Sequence, residues 1–221
     1  SPETYEWMRS QLDLAFKQGI SVLSVGHHNL LHESRLYTWA CTIESRETAL
    51  SVFEEYQLPL YISGHLHAAR TRKNMSEPGM PEEVYGIHEQ VNSALCVPPC
   101  QYGILNWNIG GEMEYEIRQV DVDGWAARHG ETDENLLHFQ EYSQNWFYQI
   151  IEGQIREKIG SSLPEETIAE MARTYADLLY RYGAGEKTDR REVKNSEGYQ
   201  MWERYRPGDE CLEEMEQILK D

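Results

Sequence analysis

Apolar residues near the start of the chain recur at helical spacing: Tyr5, Met8, Leu12 and then Ala15 or Phe16. Ser1-Pro2-Glu3 ahead of them is a helix-start signal, and Gly19 marks the helix end. Ile20-Ser21-Val22-Leu23-Ser24-Val25 is then a β-rich apolar run, predicted as a buried strand that stops at Gly26-His27-His28-Asn29. The pattern repeats once. A helix is predicted over 45–56, ending before Pro59, and a second apolar strand over 60–63 stops at Gly64-His65-Leu66-His67.

Residues 70–83 are polar and read as an exposed loop, and strand-like patterning follows over 84–122. Within it, residues 102–109 and the alternating 113–117 flank Gly110-Gly111 and predict a hairpin. After Trp125 the chain turns helical. Leu137, Tyr142, Trp146, Ile150 and Ile155 predict one long amphipathic helix. Ser162 with Glu165 reads as a capping box for the next, which carries Ile168, Met171, Tyr175, Leu178 and Tyr182 and is closed by Gly183. A charged loop is expected over 185–195 and a last helix over 211–219. The aromatic stripes of these helices read as core rather than as a ligand box. The composition shift divides the chain into residues 1–125 and an α-helical extension over 126–221.

The chain has 221 residues and a formal net charge of −18. That balance disfavours a nucleic-acid groove, which needs Lys and Arg against phosphate. No apolar run is long enough for a membrane span. The four cysteines, Cys41, Cys96, Cys100 and Cys211, read as ordinary thiols, because Cys96-Val-Pro-Pro-Cys100 lacks the two-residue gap of a zinc or redox motif.

The candidate chemistry lies at the two strand ends. In an open α/β sheet, ligands collect outside the carboxyl ends of the strands. Here two such ends, one helix apart, each deliver histidine directly after glycine. A lone His-x-His is a weak signal, since such a pair is also found on surfaces and in cores. The joint pattern is stronger, and neutral imidazole suits zinc, iron or manganese.

These residues carry a resemblance. Ser63-Gly64-His65-Leu66-His67 is similar to the last histidine block of calcineurin-like metallophosphoesterases, and Ser24-Val25-Gly26-His27-His28-Asn29-Leu30-Leu31 to the block before it. The lead-in helix with Glu6-Trp7 and Gln11-Leu12, and the stretch Pro98-Pro99-Cys100-Gln101-Tyr102-Gly103-Ile104-Leu105, also resemble that family, so the likeness covers residues 1–125. The resemblance implies an α/β fold, the second half of a four-layer α/β/β/α sandwich, here followed by the helical extension. It implies that His27 and His65 ligate one ion and His67 another, with His28 as the alternative to His27. It implies two divalent metal ions (Mn, Fe or Zn) and a small phosphorylated substrate, phosphodiesters included.

Asn29 stands where proline is common, which loosens the alignment at His27 and His28. The family's earlier blocks, an Asp-x-His, a Gly-Asp and a Gly-Asn-His-Asp/Glu, have no counterpart here, and Gly208-Asp209 comes too late. The expectation is therefore that about half of the catalytic domain lies upstream of Ser1, and that this half or self-association covers the exposed core. Arg70 and Arg72 are candidate substrate contacts, with a solvated loop as the plainer reading. Two other functions remain open: a three-histidine mononuclear zinc hydrolase, which lacks an obvious general base, and a non-catalytic, partner-binding domain derived from a phosphoesterase.

Overall fold

The computed structural model describes residues 1–32, 34–73, 86–108 and 110–221. The chain forms two compact units, Ser1–Asn92 and Ser93–Asp221. Most of the expected loop (74–83), the strand onset at Val84 and the strand end at Ile109 lie outside the described residues.

The first unit runs α1 (Pro2–Lys17), β1 (Ser24–Val25), α2 (Arg46–Glu55), β2 (Leu60–Ser63), β3 (Arg70–Lys73) and β4 (His88–Val91). Pro2 sits in the first turn of α1, where a missing N–H costs nothing, and Glu3 and Lys17 oppose the helix dipole at its two ends. Leu12 is the buried residue of α1 and joins a core with Leu30, Val52, Phe53, Tyr61 and Ile87. The sheet order is β1-β2-β4-β3, with β1, β2 and β4 parallel and β3 antiparallel to β4.

Two expectations for this unit are corrected. The run over 20–25 is not a buried strand: only Ser24–Val25 pairs, and Val25 is 68% exposed. β1 is the sheet edge, so one ladder holds it, and β-branched composition reports propensity rather than burial. Arg70–Lys73, expected as loop, is instead strand β3, in register from Arg70↔Val91 to Lys73↔His88. Charged side chains on an edge strand discourage further strand addition, so polarity there does not signal a loop.

The second unit opens with the predicted hairpin, β5 (Gln101–Trp107) and β6 (Met113–Gln119). Asn108 ties its turn by donating to Glu112 Oε2 at 2.7 Å and accepting from Glu112 N at 3.0 Å. Helices follow: α3 (Val122–His129), α4 (Glu134–Leu137), α5 (Phe139–Ile159), α6 (Glu165–Ala184), α7 (Arg190–Asn195), α8 (Glu197–Tyr205) and α9 (Glu210–Ile218). No helix among the described residues is long and apolar enough to cross a membrane. The mixed α/β architecture with a helical extension is the one expected from the sequence.

Helix α6 is the spine of this unit, and its predicted face, Ile168, Met171, Tyr175, Leu178 and Tyr182, is buried. Its ends differ from expectation. Ser162 is in a 3-10 turn after α5 and bonds back to Ile159 O, so Pro164 takes the cap position and no capping box forms. Gly183 stays inside the helix, and Gly185, at φ 74°, terminates it. The expected charged loop over 185–195 contains α7, started by Asp189, and α8 follows where no helix was expected. Helix α7, with Val193 as its one apolar side chain, shows no period. Tyr199 and Trp202 alone anchor α8 in the core, with Trp202 Nε1 donating to Met171 O at 2.8 Å.

The stripe expected to bury α5 does not. Tyr142, Trp146 and Ile150 are exposed, whereas Ile155 and Ile159 are buried. At about 100° per residue, position 155 lies about 220° round the helix from position 142, so one face cannot hold both. The inward side is set by Phe147 and Tyr148, whose rings meet Tyr180 of α6 at 5.9 and 6.0 Å between centroids.

Close packing of α8 on α6 yields a test. A β-carbon at Gly198 would collide with the Thr174 side chain and the Glu170 carbonyl, whereas one at Gly153 in α5 meets nothing. Gly198→Ala is expected to destabilise the chain by about 1–3 kcal/mol and Gly153→Ala to stabilise it by about 0.5–1 kcal/mol in urea unfolding.

Candidate functional site

Strands β1 and β2 run parallel with Ser24↔Tyr61 and Val25↔Ile62 in register. The ladder continues past both ends: Gly26 N donates to Ile62 O at 3.0 Å, and Gly64 N to His27 O at 3.1 Å. The two Gly-His segments are thereby held side by side. Gly26 is needed for space, because a β-carbon there would run into the Tyr61 hydroxyl. That hydroxyl donates to His28 O at 2.9 Å and braces the first histidine turn from below. Burial pushes the Tyr61 phenol up to about 12, with the Glu89 charge adding to the effect, so it remains a donor at any working pH.

Three of the four candidate imidazoles come together. His65 Nδ1 and His27 Nε2 are 3.2 Å apart. The His28 ring lies 4.5 Å from His65 and 5.2 Å from His27, centroid to centroid, so both alternatives in the first block border His65. His67 is exposed and adds to the electrostatic environment of His65. Burial holds the His65 imidazole below its ordinary value, and neighbouring His28, His27 and His67 push the same way. Neutral imidazole keeps a lone pair for a metal or a proton. Among the described residues, no three His, Cys, Asp or Glu side chains are already gathered around one ion-sized point. Arg70 and Arg72 are on β3, half-buried, and not in a loop.

The backbone of the second block is strained. His65 and His67 both have left-handed φ, 69° and 51°, on either side of buried Leu66. Such positions cost non-glycine residues roughly 1–3 kcal/mol each and persist where the surroundings impose them.

Beneath the histidines is a polar network that the motif pattern does not show. Glu89 of β4 is 0% exposed and accepts from Leu30 N at 3.0 Å, Leu31 N at 2.5 Å and Ser63 Oγ at 2.5 Å. Asn29 is buried too, and its Nδ2 donates to Ser63 Oγ at 2.9 Å and Glu89 Oε1 at 3.2 Å. These acceptors fix the amide orientation and leave Asn29 Oδ1 buried with no hydrogen-bond partner among the described residues. The available signal was His88-Glu89-Gln90 between Ile87 and Val91, a polar run inside an apolar frame.

The strain can be measured. His65→Gly and His65→Ala both remove the imidazole, but only glycine accepts the left-handed backbone freely. His65→Gly is expected to be more stable than His65→Ala by about 1 kcal/mol in urea unfolding, and the reverse order would contradict strain at this position.

A family model described as the C-terminal domain of cyclic nucleotide phosphodiesterase matches residues 121–221. The match starts inside the second unit, at the N-cap of α3, and contains none of the four candidate histidines. No curated protein matches the chain. The helical segment is thus similar to a domain of a phosphodiesterase-related family.

Proposed function

We propose that the first unit carries part of the metal centre of a phosphoesterase, with phosphodiesters as the substrate class. One observation carries the reading: the 3.2 Å approach of His65 Nδ1 to His27 Nε2 at the carboxyl ends of adjacent parallel strands. Two nitrogens each about 2.0–2.1 Å from a tetrahedral ion stand about 3.4 Å apart, so this pair is spaced for a shared ion. The donor chemistry fits as well. His65 is biased towards the neutral form, and Asn29 Oδ1, one residue past His28, is a buried oxygen with no donor among the described residues.

In this reading His27 and His65 hold one ion, with His28 as the alternative to His27, and His67 holds a second. Two bound divalent ions would supply a water of lowered pKa and would offset charge on the phosphate oxygens. The chain's own contribution is placement. The continued β1–β2 ladder sets the spacing of the two blocks, and Tyr61 braces the first of them. The exposure of His27, His28 and His67 leaves room for a phosphate to approach from solvent. The match of the helical segment to a domain of cyclic nucleotide phosphodiesterase supports phosphodiesters over monoesters.

Calorimetric titration of the untagged chain with Zn²⁺ and Mn²⁺ tests the reading. Wild type is expected to bind. His27→Ala and His65→Ala are expected to bind at least about tenfold more weakly with unchanged circular dichroism, while His138→Ala of the second unit binds as wild type. If wild type takes up no metal, the partner-binding reading stands instead, and the exposed aromatic stripe of α5 favours it. A single tight zinc lost in all three of His27→Ala, His65→Ala and His67→Ala would favour the mononuclear site.

A further inference from the structure

We propose that Glu89 is a positioning residue of the histidine centre, tying the turn after His28 to the strand end before His65. The inference rests on the functional reading above. Glu89 lies on β4, which pairs with β2 in the register Tyr61↔Glu89, and its carboxylate is sealed from water. Both oxygens accept from Leu30 N at 3.0 Å, and Oε2 also from Leu31 N at 2.5 Å. Oε1 accepts from Ser63 Oγ at 2.5 Å and Asn29 Nδ2 at 3.2 Å. Asn29 Nδ2, whose two N–H groups serve Ser63 Oγ and Glu89 Oε1, also lies 3.4 Å from Gly64 O. One buried carboxylate therefore holds the residues that directly follow His28 and the serine two positions before His65.

A carboxylate with no cation beside it among the described residues is an expensive choice for the interior of a parallel strand, where an apolar side chain would fill the space at lower cost. What only the carboxylate can do here is accept from the peptide N–H groups of Leu30 and Leu31 and from Ser63 at once. Those peptides belong to an irregular turn and lack a sheet partner at their nitrogens, so they need such an acceptor. Loss of the acceptor leaves the first histidine block held to the second by the β1–β2 ladder and the Tyr61 hydroxyl alone. The turn after His28 then loses its tie to the strand end before His65, and the 3.2 Å spacing of His27 and His65 loses that support.

Glu89→Gln tests this, because the amide keeps the volume but presents N–H where acceptors are required. Long-range ¹H–¹⁵N spectra of the metal-free chain report each imidazole directly. The variant is expected to move the His27, His28 and His65 ring signals and to leave those of His129 and His138 in place. Its Zn²⁺ affinity by calorimetry is expected to fall about tenfold or more, as when outer partners of metal ligands are removed. Unchanged ring signals and affinity in a folded variant would overturn the proposal. If Glu89→Gln does not fold, Ser63→Ala removes the hydroxyl that donates to Glu89 Oε1 and accepts from Asn29 Nδ2. It is expected to shift the same three rings, and no shift would overturn the proposal. Should wild type bind no metal, the functional reading fails on that arm, while the ring signals still decide whether Glu89 sets the histidine positions.

Discussion

Parallel strands end with their last peptide groups unpaired unless something beyond the strand takes them up. In this chain the end of β1 and the end of β2 take each other up, through Gly26 N to Ile62 O and Gly64 N to His27 O. The rest of the first unit depends on that continuation. It brings two glycines side by side, and glycine at position 26 is what lets the Tyr61 hydroxyl reach the His28 carbonyl. Past the glycines the backbone has no regular ladder left. The second block turns through two left-handed histidines, and the first is caught from beneath by Glu89. Strain above and a buried carboxylate below are both unfavourable in isolation, and they coincide with the place where four histidines leave the sheet.

The second unit is organised by other means. It is acidic, and four of its aspartates have a local structural role. Asp121, Asp133, Asp189 and Asp209 each cap a helix by accepting from backbone N–H groups of its first turn. Asp209 is also engaged by Lys158 at 3.2 Å and Arg206 at 3.0 Å, and the accepted hydrogen bonds hold its carboxyl below the usual range despite burial. Helix α6 gathers α5, α8 and α9 around one buried face, and the hairpin β5–β6 clusters with these helices rather than with the sheet of the first unit.

How much of this was legible follows from what each signal measures. Helix α2 and strand β2 were readable because periodicity and end signals agreed there, and the buried face of α6 from its periodicity alone. The Gly-His strand ends were readable because glycine followed by histidine at the close of two apolar runs is a local pattern. Burial at the sheet edge was not, since β propensity at Val22 and Val25 is blind to whether a second layer exists. Strand β3 was hidden by its charge, and α7 by its brevity. The exposed side of α5 was misjudged because Tyr142, Trp146 and Ile150, four apart, share a face of their own, and periodicity alone does not say which face is buried. Glu89 escaped for a different reason: its partners are 26 to 60 residues away in sequence, and no local pattern reports a hydrogen bond of that range.

The central claim is that imidazoles from the two strand ends share a metal ion. Zinc K-edge absorption on the untagged, zinc-loaded chain tests it most directly, because the fine structure reports the donor atoms themselves. The account predicts nitrogen and oxygen donors at about 2.0–2.1 Å, with the multiple scattering of at least two imidazoles. Sulfur donors at about 2.3 Å, or a chain that retains no zinc, would contradict it.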